Sequence, residues 1–389
     1  MTLRIGIVGA GFAARFHLHN LRRVYGVPLT IAGVTARSAE SRDAFAREFS
    51  VPAFDSFAAL CDASDVVDLC TPPSTHEPLA LEALARGRHL IVEKPFTGSF
   101  GDGRPGFRGD LAPKEPMLAA ALASCRRILD AARAAQRTIA YAENWVYAPA
   151  LQKEREIVTK SGAQIFWILG NQSHSGSHSP YYGEWRYSGG GSLIGKGCHP
   201  LGAALSLKQA EGLARDGVPI RPASVSARTH ALTRIPSYRD AGHLRRGYTD
   251  VEDYAQLHVT FTDGTVADIF ASEIMLGGVS NWIEIVANSH RTHCRLNPID
   301  AVTTFNPDGE AFRDIYITEK IETKAGWSQP APDEAWQHGY PQEFQDFLES
   351  IATGREPLSN AVLARDTIAV IYAGYLSAER RGAEVELSP

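Results

Sequence analysis

No stretch of the chain holds the ~20 consecutive apolar residues that a membrane-crossing helix requires, and no block of lysine or arginine interrupts its 389 residues. With 39 basic and 44 acidic side chains the net charge is −5, so the charge pattern supports neither a nucleic-acid nor an anionic-membrane partner. Internal repeats are lacking as well. Cysteine is scarce: Cys61, Cys70, Cys125, Cys198 and Cys294 are odd in number and form no CxxC pair. That excludes a disulfide framework and predicts reduced thiols in a cytoplasmic protein. The strand-like run starting at Leu3 leaves no room for a signal peptide, which gives the same expectation. A composition of 44% apolar and 21% charged residues, with 34 Gly and 22 Pro, excludes disorder, collagen-like repeats and coiled coils.

What is present is enough chain for two domains. Through the first 147 residues, short β-branched runs such as Arg4–Val8, Leu29–Val34, Val66–Cys70 and His89–Val92 alternate with amphipathic stretches. A strong helical stretch over 118–136 leads to the strand Thr138–Tyr141. Strands alternating with helices predict βαβ units and a doubly wound parallel sheet. From 148 to 389 the pattern changes to runs such as Ile165–Leu169, Gln256–Phe261, Thr265–Phe270 and Trp282–Val286. An Asp263-Gly264 turn signal joins two of them, so a second α/β domain with a large, mostly antiparallel open sheet is expected. One segment, Thr97 to Met117, holds five Gly and three Pro and is too irregular for an element.

Gly9-Ala10-Gly11-Phe12-Ala13-Ala14 fits GxGxxG/A between the first strand and the first helix. Gly9 makes the tight turn, Gly11 admits a pyrophosphate to the backbone, and Ala14 permits close helix–strand packing. The place of the ribose-binding acid, after the second strand, reads Ala36-Arg37-Ser38. Arg37 and Ser38 there favour NADP over NAD by meeting a 2′-phosphate, while an Arg37 that only stacks on adenine is compatible with either.

Cys70-Thr71-Pro72-Pro73-Ser74-Thr75-His76 ends one strand and Glu93-Lys94-Pro95 the next. Together with the Gly9–Ala14 loop, with Gly189-Gly190-Gly191 leading to Cys198-His199, and with Tyr340, Glu343 and Phe347, they closely resemble the glucose-fructose oxidoreductase/inositol dehydrogenase/MocA (Gfo/Idh/MocA) family. The resemblance implies a Rossmann domain (1–147, with an insertion at 97–117) and a substrate and oligomerisation domain (148–389). It implies NAD(P)-dependent oxidation or reduction of a secondary hydroxyl on a sugar, glycoside or cyclitol, in a homodimer or homotetramer. Phe12, Ala13, Thr71, Pro72, His76, Glu93 and Lys94 are expected to join the glycine loop around the cofactor.

The chemistry can also be read from the residues. Lys94 sits just past the carboxyl end of a strand, where ligands of doubly wound sheets bind, and an ammonium there can hydrogen-bond the reacting oxygen. His199 is the expected acid/base, since imidazole titrates near neutrality. Many relatives place an Asp four residues before that His; here it is Gly195, followed by Lys196. Either His199 works with Lys94 alone, or Lys196 meets an anionic substrate or a substitute carboxylate. Asn144, Trp145, Tyr147, Trp185, Arg186, Lys196 and His199 are the expected substrate contacts, because flat aromatic faces suit sugar C–H faces. His174 and His178, four apart, could ligate zinc with Cys198 or His199 if helical, but the Gly and Ser content there argues against a helix and no carboxylate follows at motif spacing, so no metal is expected. His290, His293 and Cys294 read as structural. Two other functions compete: transient redox by a retained cofactor, giving glycoside cleavage or sugar–sugar exchange, and a non-catalytic dinucleotide sensor. The 97–117 segment is expected to act as a mobile cover over the substrate, or to reach a neighbouring subunit's site, and to exclude water during transfer.

Overall fold

In the computed structural model, which describes residues 2–101, 103, 104, 106–177 and 179–387, the apolar runs of the N-terminal half become five strands. These are β1 (Leu3–Val8), β2 (Leu29–Thr35), β3 (Val66–Leu69), β4 (His89–Glu93) and β5 (Ile139–Ala142). They pair in the order β2-β1-β3-β4-β5, every pair parallel. Ile5, Ile7, Val66, Val67, Leu90, Ile91 and Val92 are completely buried, as strands covered by helices on both faces must be. A single parallel bridge from Val34 to Ala53 marks where a further strand would extend the sheet beyond β2. Strand order reverses at β1 and β3, so the loops after Val8 and Leu69 part there and open a crevice at the carboxyl edge.

The second sheet is built from β6 (Ile165–Ser173), β7 (Pro222–His230), β8 (Tyr254–Phe261), β9 (Val266–Ser272), β10 (Ser280–Ala287) and β11 (Arg291–Asn297). A small hairpin, β12 (Thr304–Asn306) with β13 (Gly326–Ser328), stands apart, and β14 (Val385–Glu386) closes one edge. The order is β11-β10-β6-β9-β8-β7-β14, antiparallel throughout except β6 with β9. Alternate residues of β8, β9 and β10 (Ala255, Leu257, Val259; Ala267, Ile269, Ala271; Ile283, Ile285) are buried. Helix Cys198–Asp216 packs on β6 and helix Ala361–Glu379 on β7, and the latter also lies along helix Lys114–Ala135 of the first unit. The opposite face of the sheet keeps Trp167, Phe270 and Trp282 partly exposed.

Two expectations about 97–117 need correction. Lys114–Met117 is the first turn of helix Lys114–Ala135 rather than irregular chain. Pro113 and Pro116 are tolerated there because first-turn N–H groups have no intrahelical partner. The stretch before it is an anchored strap and not a free cover. Thr97 and Ser99 are buried, Ser99 N donates to the Tyr372 hydroxyl at 2.7 Å, Trp185 Nε1 donates to Ser99 O at 2.9 Å, and Gly109 N donates to Asp250 at 2.8 Å. Gly109 is glycine because a Cβ would fall 2.1 Å from the Trp185 side chain. Asp102 and Pro105 of this segment lie outside the described residues.

Candidate active site

The crevice starts at Gly9, whose φ of +111° and whose approach to Cys70 O (a Cβ would sit at 2.6 Å) admit no other residue. Gly11 is the extended N-cap of helix Phe12–Leu21 and accepts nothing through a side chain, and the space where its Cβ would stand is open. Free N–H groups at a helix start facing an open cradle are the chemistry of a pyrophosphate site. Ala14 is fully buried against the sheet, Ala13 is half-buried, and Phe12 is 75% exposed at the mouth. Arg37 is exposed just past β2, after half-buried Ala36, while Ser38 caps helix Ala39–Phe49 by accepting from Ser41 N.

Lys94 projects from the end of β4 across the seam between the two sheets. Its Nζ donates to Gly195 O at 3.2 Å and lies 5.7 Å from the ring centre of Tyr182. That carbonyl is offered by a π-helical turn, Leu193–Gly197, directly ahead of helix Cys198–Asp216. Such turns interrupt the regular hydrogen-bond ladder. The preceding glycines serve close approach: a Cβ on Gly191 would meet Glu252 O at 2.0 Å, and the Glu252 carboxylate accepts from both Gly191 N and Leu193 N. Burial opposes charge on Lys94, but Tyr182, Cys198, Glu93 and Glu143 outweigh it and hold its pKa above the ordinary value.

His199 meets Glu143, the residue that follows β5. Its Nδ1 lies 2.7 Å from Glu143 Oε1, with both side chains buried. The Trp145 indole stacks against the imidazole at 6.1 Å and 22°. Burial first, then the charges of Lys94, Lys196 and His338, push the His199 pKa well down. Burial pushes the Glu143 carboxyl well up, with only partial relief from Lys94. Lys196 has a carboxylate of its own: Nζ lies 3.1 Å from Glu273 and donates to Ser177 Oγ at 2.6 Å. The Tyr182 ring stands between the two ammonium groups, 5.5 Å from Lys196 Nζ, and covers Gly195.

Residues 3–105 match the family model described as the oxidoreductase family with an NAD-binding Rossmann fold, GFO_IDH_MocA. Through this segment the chain is similar to the Gfo/Idh/MocA oxidoreductase family. It is 38% identical over 95 residues to the UDP-N-acetylglucosamine 3-dehydrogenase of Acidithiobacillus ferrooxidans, and 39% identical over 98 residues to inositol 2-dehydrogenase 4 of Saccharopolyspora erythraea. Each match covers 24% of this chain and 29% of the relative, so the chain spans under a third of these curated relatives. The fold likeness runs further. The structure of GenD2 from gentamicin A biosynthesis, in complex with NAD, superposes with a TM-score of 0.79 at 20% identity, over 100% of this chain and 97% of that one.

Several residues expected at the site make contacts within the protein. His76 is completely buried with both ring nitrogens at carbonyls, Nε2 at Thr71 O (2.9 Å) and Nδ1 at Pro95 O (3.1 Å). It ties the loop after β3 to the segment after β4. Thr71 and Pro72 are bound into the same loop through the Thr75 hydroxyl. Tyr147 donates to Asp346 and accepts from Ser359 N, Asn144 Nδ2 donates to His338 O, and Trp185 is buried against Tyr375 and the strap. All three thus hold contacts within the protein. Arg186 turns outward, ion-paired with Glu184 at 2.6 Å. His290 pairs with Glu154 at 2.8 Å, and Cys294 is buried.

A second buried cluster has no signature in the sequence. His17 sits between Asp68, 3.0 Å from Nδ1, and Glu93, 3.1 Å from Nε2, with Cys70 Sγ 3.2 Å from Nδ1. Burial opposes its charge, but Asp68 and Cys70 outweigh this and raise its pKa well above the usual value. The set His17, Asp68, Cys70 and the set Glu143, Cys198, His199 are the groups within metal-ligating reach among the described residues. In both, side chains already hydrogen-bond one another directly. Of the His174–His178 pair, His178 lies outside the described residues, and His174 faces Glu273 at 3.6 Å. The Asp-for-Gly difference at 195 flagged a missing carboxylate, but nothing in sequence spacing links Glu143, Glu273 or His17 to the site.

Proposed function

We propose that the protein is an NAD(P)-dependent oxidoreductase that transfers hydride to or from a secondary hydroxyl of a sugar, glycoside or cyclitol. One observation carries the reading: Lys94 and His199, from the two sheets, converge beside a cradle whose glycine loop suits a dinucleotide pyrophosphate. In this reading residues 1–147 form the cofactor unit, and 148–389 form the substrate unit and the face joining copies of the chain into a dimer or tetramer in the cytoplasm. Gly9, Gly11 and the first turn of helix Phe12–Leu21 hold the pyrophosphate. Arg37 with Ser38 meets the adenosine ribose, with NADP preferred.

When bound, the nicotinamide supplies the hydride acceptor. Lys94, held as an ammonium, donates a hydrogen bond to the reacting oxygen and stabilises negative charge as its proton leaves. His199 takes that proton at Nε2, which makes no hydrogen bond to a described residue, while Nδ1 is held by Glu143. Lys196 and Tyr182 line the far side of the Lys94 ammonium, and the buried surroundings strengthen each of these interactions.

A panel of sugars, sugar phosphates, glycosides and cyclitols, assayed for absorbance of reduced nicotinamide with added NAD and NADP, tests this reading. Net reduction with one substrate class supports it. Product formation without net reduced cofactor would shift the reaction to transient redox by a retained cofactor. Cofactor binding with no turnover on any class would leave a dinucleotide sensor.

A further inference from the structure

We infer that Glu143 supplies the carboxylate absent at position 195, orienting His199 and receiving, through its imidazole, the proton that leaves the substrate hydroxyl. The inference rests on the proposed oxidoreductase reading. The geometry is direct. Glu143 follows β5 of the first sheet, His199 opens helix Cys198–Asp216 of the second unit, and the 2.7 Å contact closes the seam between them. Oε1 makes that contact and also accepts from Trp145 N, while Oε2 is buried without a hydrogen-bond partner among the described residues. Gly202 leaves room for the carboxylate stem: a Cβ there would stand 2.9 Å from Glu143 Cγ. The carboxylate also lies in the field of Lys94, so ammonium, carboxylate and imidazole meet here with only the carboxylate supplied from a position other than 195.

Proton balance follows from the surroundings. His199 is faced by Lys94 from the end of β4, by Lys196 and Cys198 from the π-turn and helix start, and by His338 from the loop ahead of helix Tyr340–Thr353. Three of these neighbours disfavour a second proton on the imidazole. Glu143 is faced by Glu93 as well as Lys94, and its charge is felt by Tyr141, Tyr340 and Glu343. Burial and the neighbouring carboxylate make it the easier group of the pair to protonate. In the oxidation direction, the C–H hydride goes to the oxidised nicotinamide and the O–H proton to His199 Nε2. The Nδ1 proton then passes to Glu143, leaving a neutral carboxylic acid and a neutral imidazole. Reduction runs the same steps backwards.

The test combines a measurement on the unliganded protein with kinetics. Infrared difference spectra between acidic and alkaline buffer should show a protonated buried carboxyl in the wild type that is absent from Glu143→Gln. Nitrogen-15 NMR of the His199 ring should show no imidazolium across the neutral range. With a substrate found by the panel, oxidation by the wild type should rise with pH as the dyad loses its proton. In Glu143→Gln, whose amide still fills the space, kcat should fall about 10²-fold or more with KM little changed, and this rising limb should vanish. Glu143→Asp should recover part of kcat together with the limb. A Glu143→Gln variant that keeps wild-type kcat and pH profile, or an unliganded His199 that titrates as an ordinary imidazolium, overturns the inference. Because the spectroscopy needs no turnover, failure to find any substrate would count against the oxidoreductase reading and leave the Glu143–His199 result standing.

Discussion

Lys94 Nζ donates to the main-chain carbonyl of Gly195 at 3.2 Å, so the ammonium delivered by the first sheet is steadied by the residue at which many relatives carry an aspartate. The carbonyl is a neutral acceptor, and it fixes the direction of Lys94 without cancelling its charge. In the proposed reaction this leaves the charge free to act on a substrate oxygen.

Lys94→Ala should therefore retain cofactor affinity and lose hydride transfer by about 10²–10⁴-fold, the range for a group that handles a proton or the charge it leaves. Fluorescence titration with NAD(P)H and single-turnover rates separate the two effects. A loss under tenfold with binding intact would remove Lys94 from the chemistry. Since its surroundings raise the Lys94 pKa, the ammonium should add no ionisation of its own to the pH–rate profile near neutrality.

At the other end of the crevice, Arg37 stands exposed past β2 where an acid would hold an NAD ribose. Arg37→Ala should weaken NADP far more than NAD, because a charge-assisted hydrogen bond to a phosphate is worth on the order of 1.5–3 kcal/mol, or roughly tenfold and more in Kd. Isothermal titration with both cofactors measures this. Equal losses would mean the guanidinium only stacks on adenine.

How much of this could be read from the sequence depends on how local the determining physics is. The GxGxxA loop, the strands around it and Lys94 after β4 follow from short-range patterns, a turn glycine or a β-branched run, and the structure places them as expected. Trp185 and Tyr147 are ambiguous in the sequence because an aromatic looks alike in a sugar site and in a core. Only the partners tell them apart: Ser99 O and Tyr375 for the one, Asp346 and Ser359 for the other. Glu143 and His199 are 56 residues apart in the chain, and Lys196 and Glu273 further still. Such pairs form only once β5, the π-turn and β9 are set by the two sheets. The glycine-rich strap was misread for a related reason. Its glycines suggested motion, but Gly109 is there so that Trp185 can approach.

That reading of the strap makes Gly109→Ala a stability variant. The added methyl would fall within 2.4 Å of three Trp185 atoms and must displace a buried indole, an overpacking cost of about 1–3 kcal/mol. Thermal unfolding should show a lower Tm, whereas Leu111→Ala in the same segment, at a side chain 76% exposed, should change stability by less than about 0.5 kcal/mol. An unchanged Tm for Gly109→Ala, accompanied by a raised KM, would restore the segment as a mobile cover.

Glu252 ties stability to pH with a defined sign. Its carboxylate is buried beneath the Gly189–Gly191 turn and accepts from Gly191 N, Leu193 N at 2.8 Å and the Tyr375 hydroxyl at 2.8 Å. Burial pushes its pKa up to about 7, with those donors pulling it only part of the way back. In the unfolded chain the group ionises near its ordinary value of 4.5. Between the two values the folded state binds more protons than the unfolded state, so this residue makes stability fall as pH rises from 4.5 through about 7, with no further change above. At about 1.4 kcal/mol per pH unit, the interval amounts to on the order of 3 kcal/mol. Glu252→Gln mimics the protonated form and cannot ionise. Urea unfolding at pH 5 should find wild type and variant close in stability, and at pH 8 the variant should be the more stable, its curve flatter by the missing ionisation. If the two proteins lose stability in parallel across this window, the ionisation belongs to another buried carboxyl, with Glu343 the next to replace.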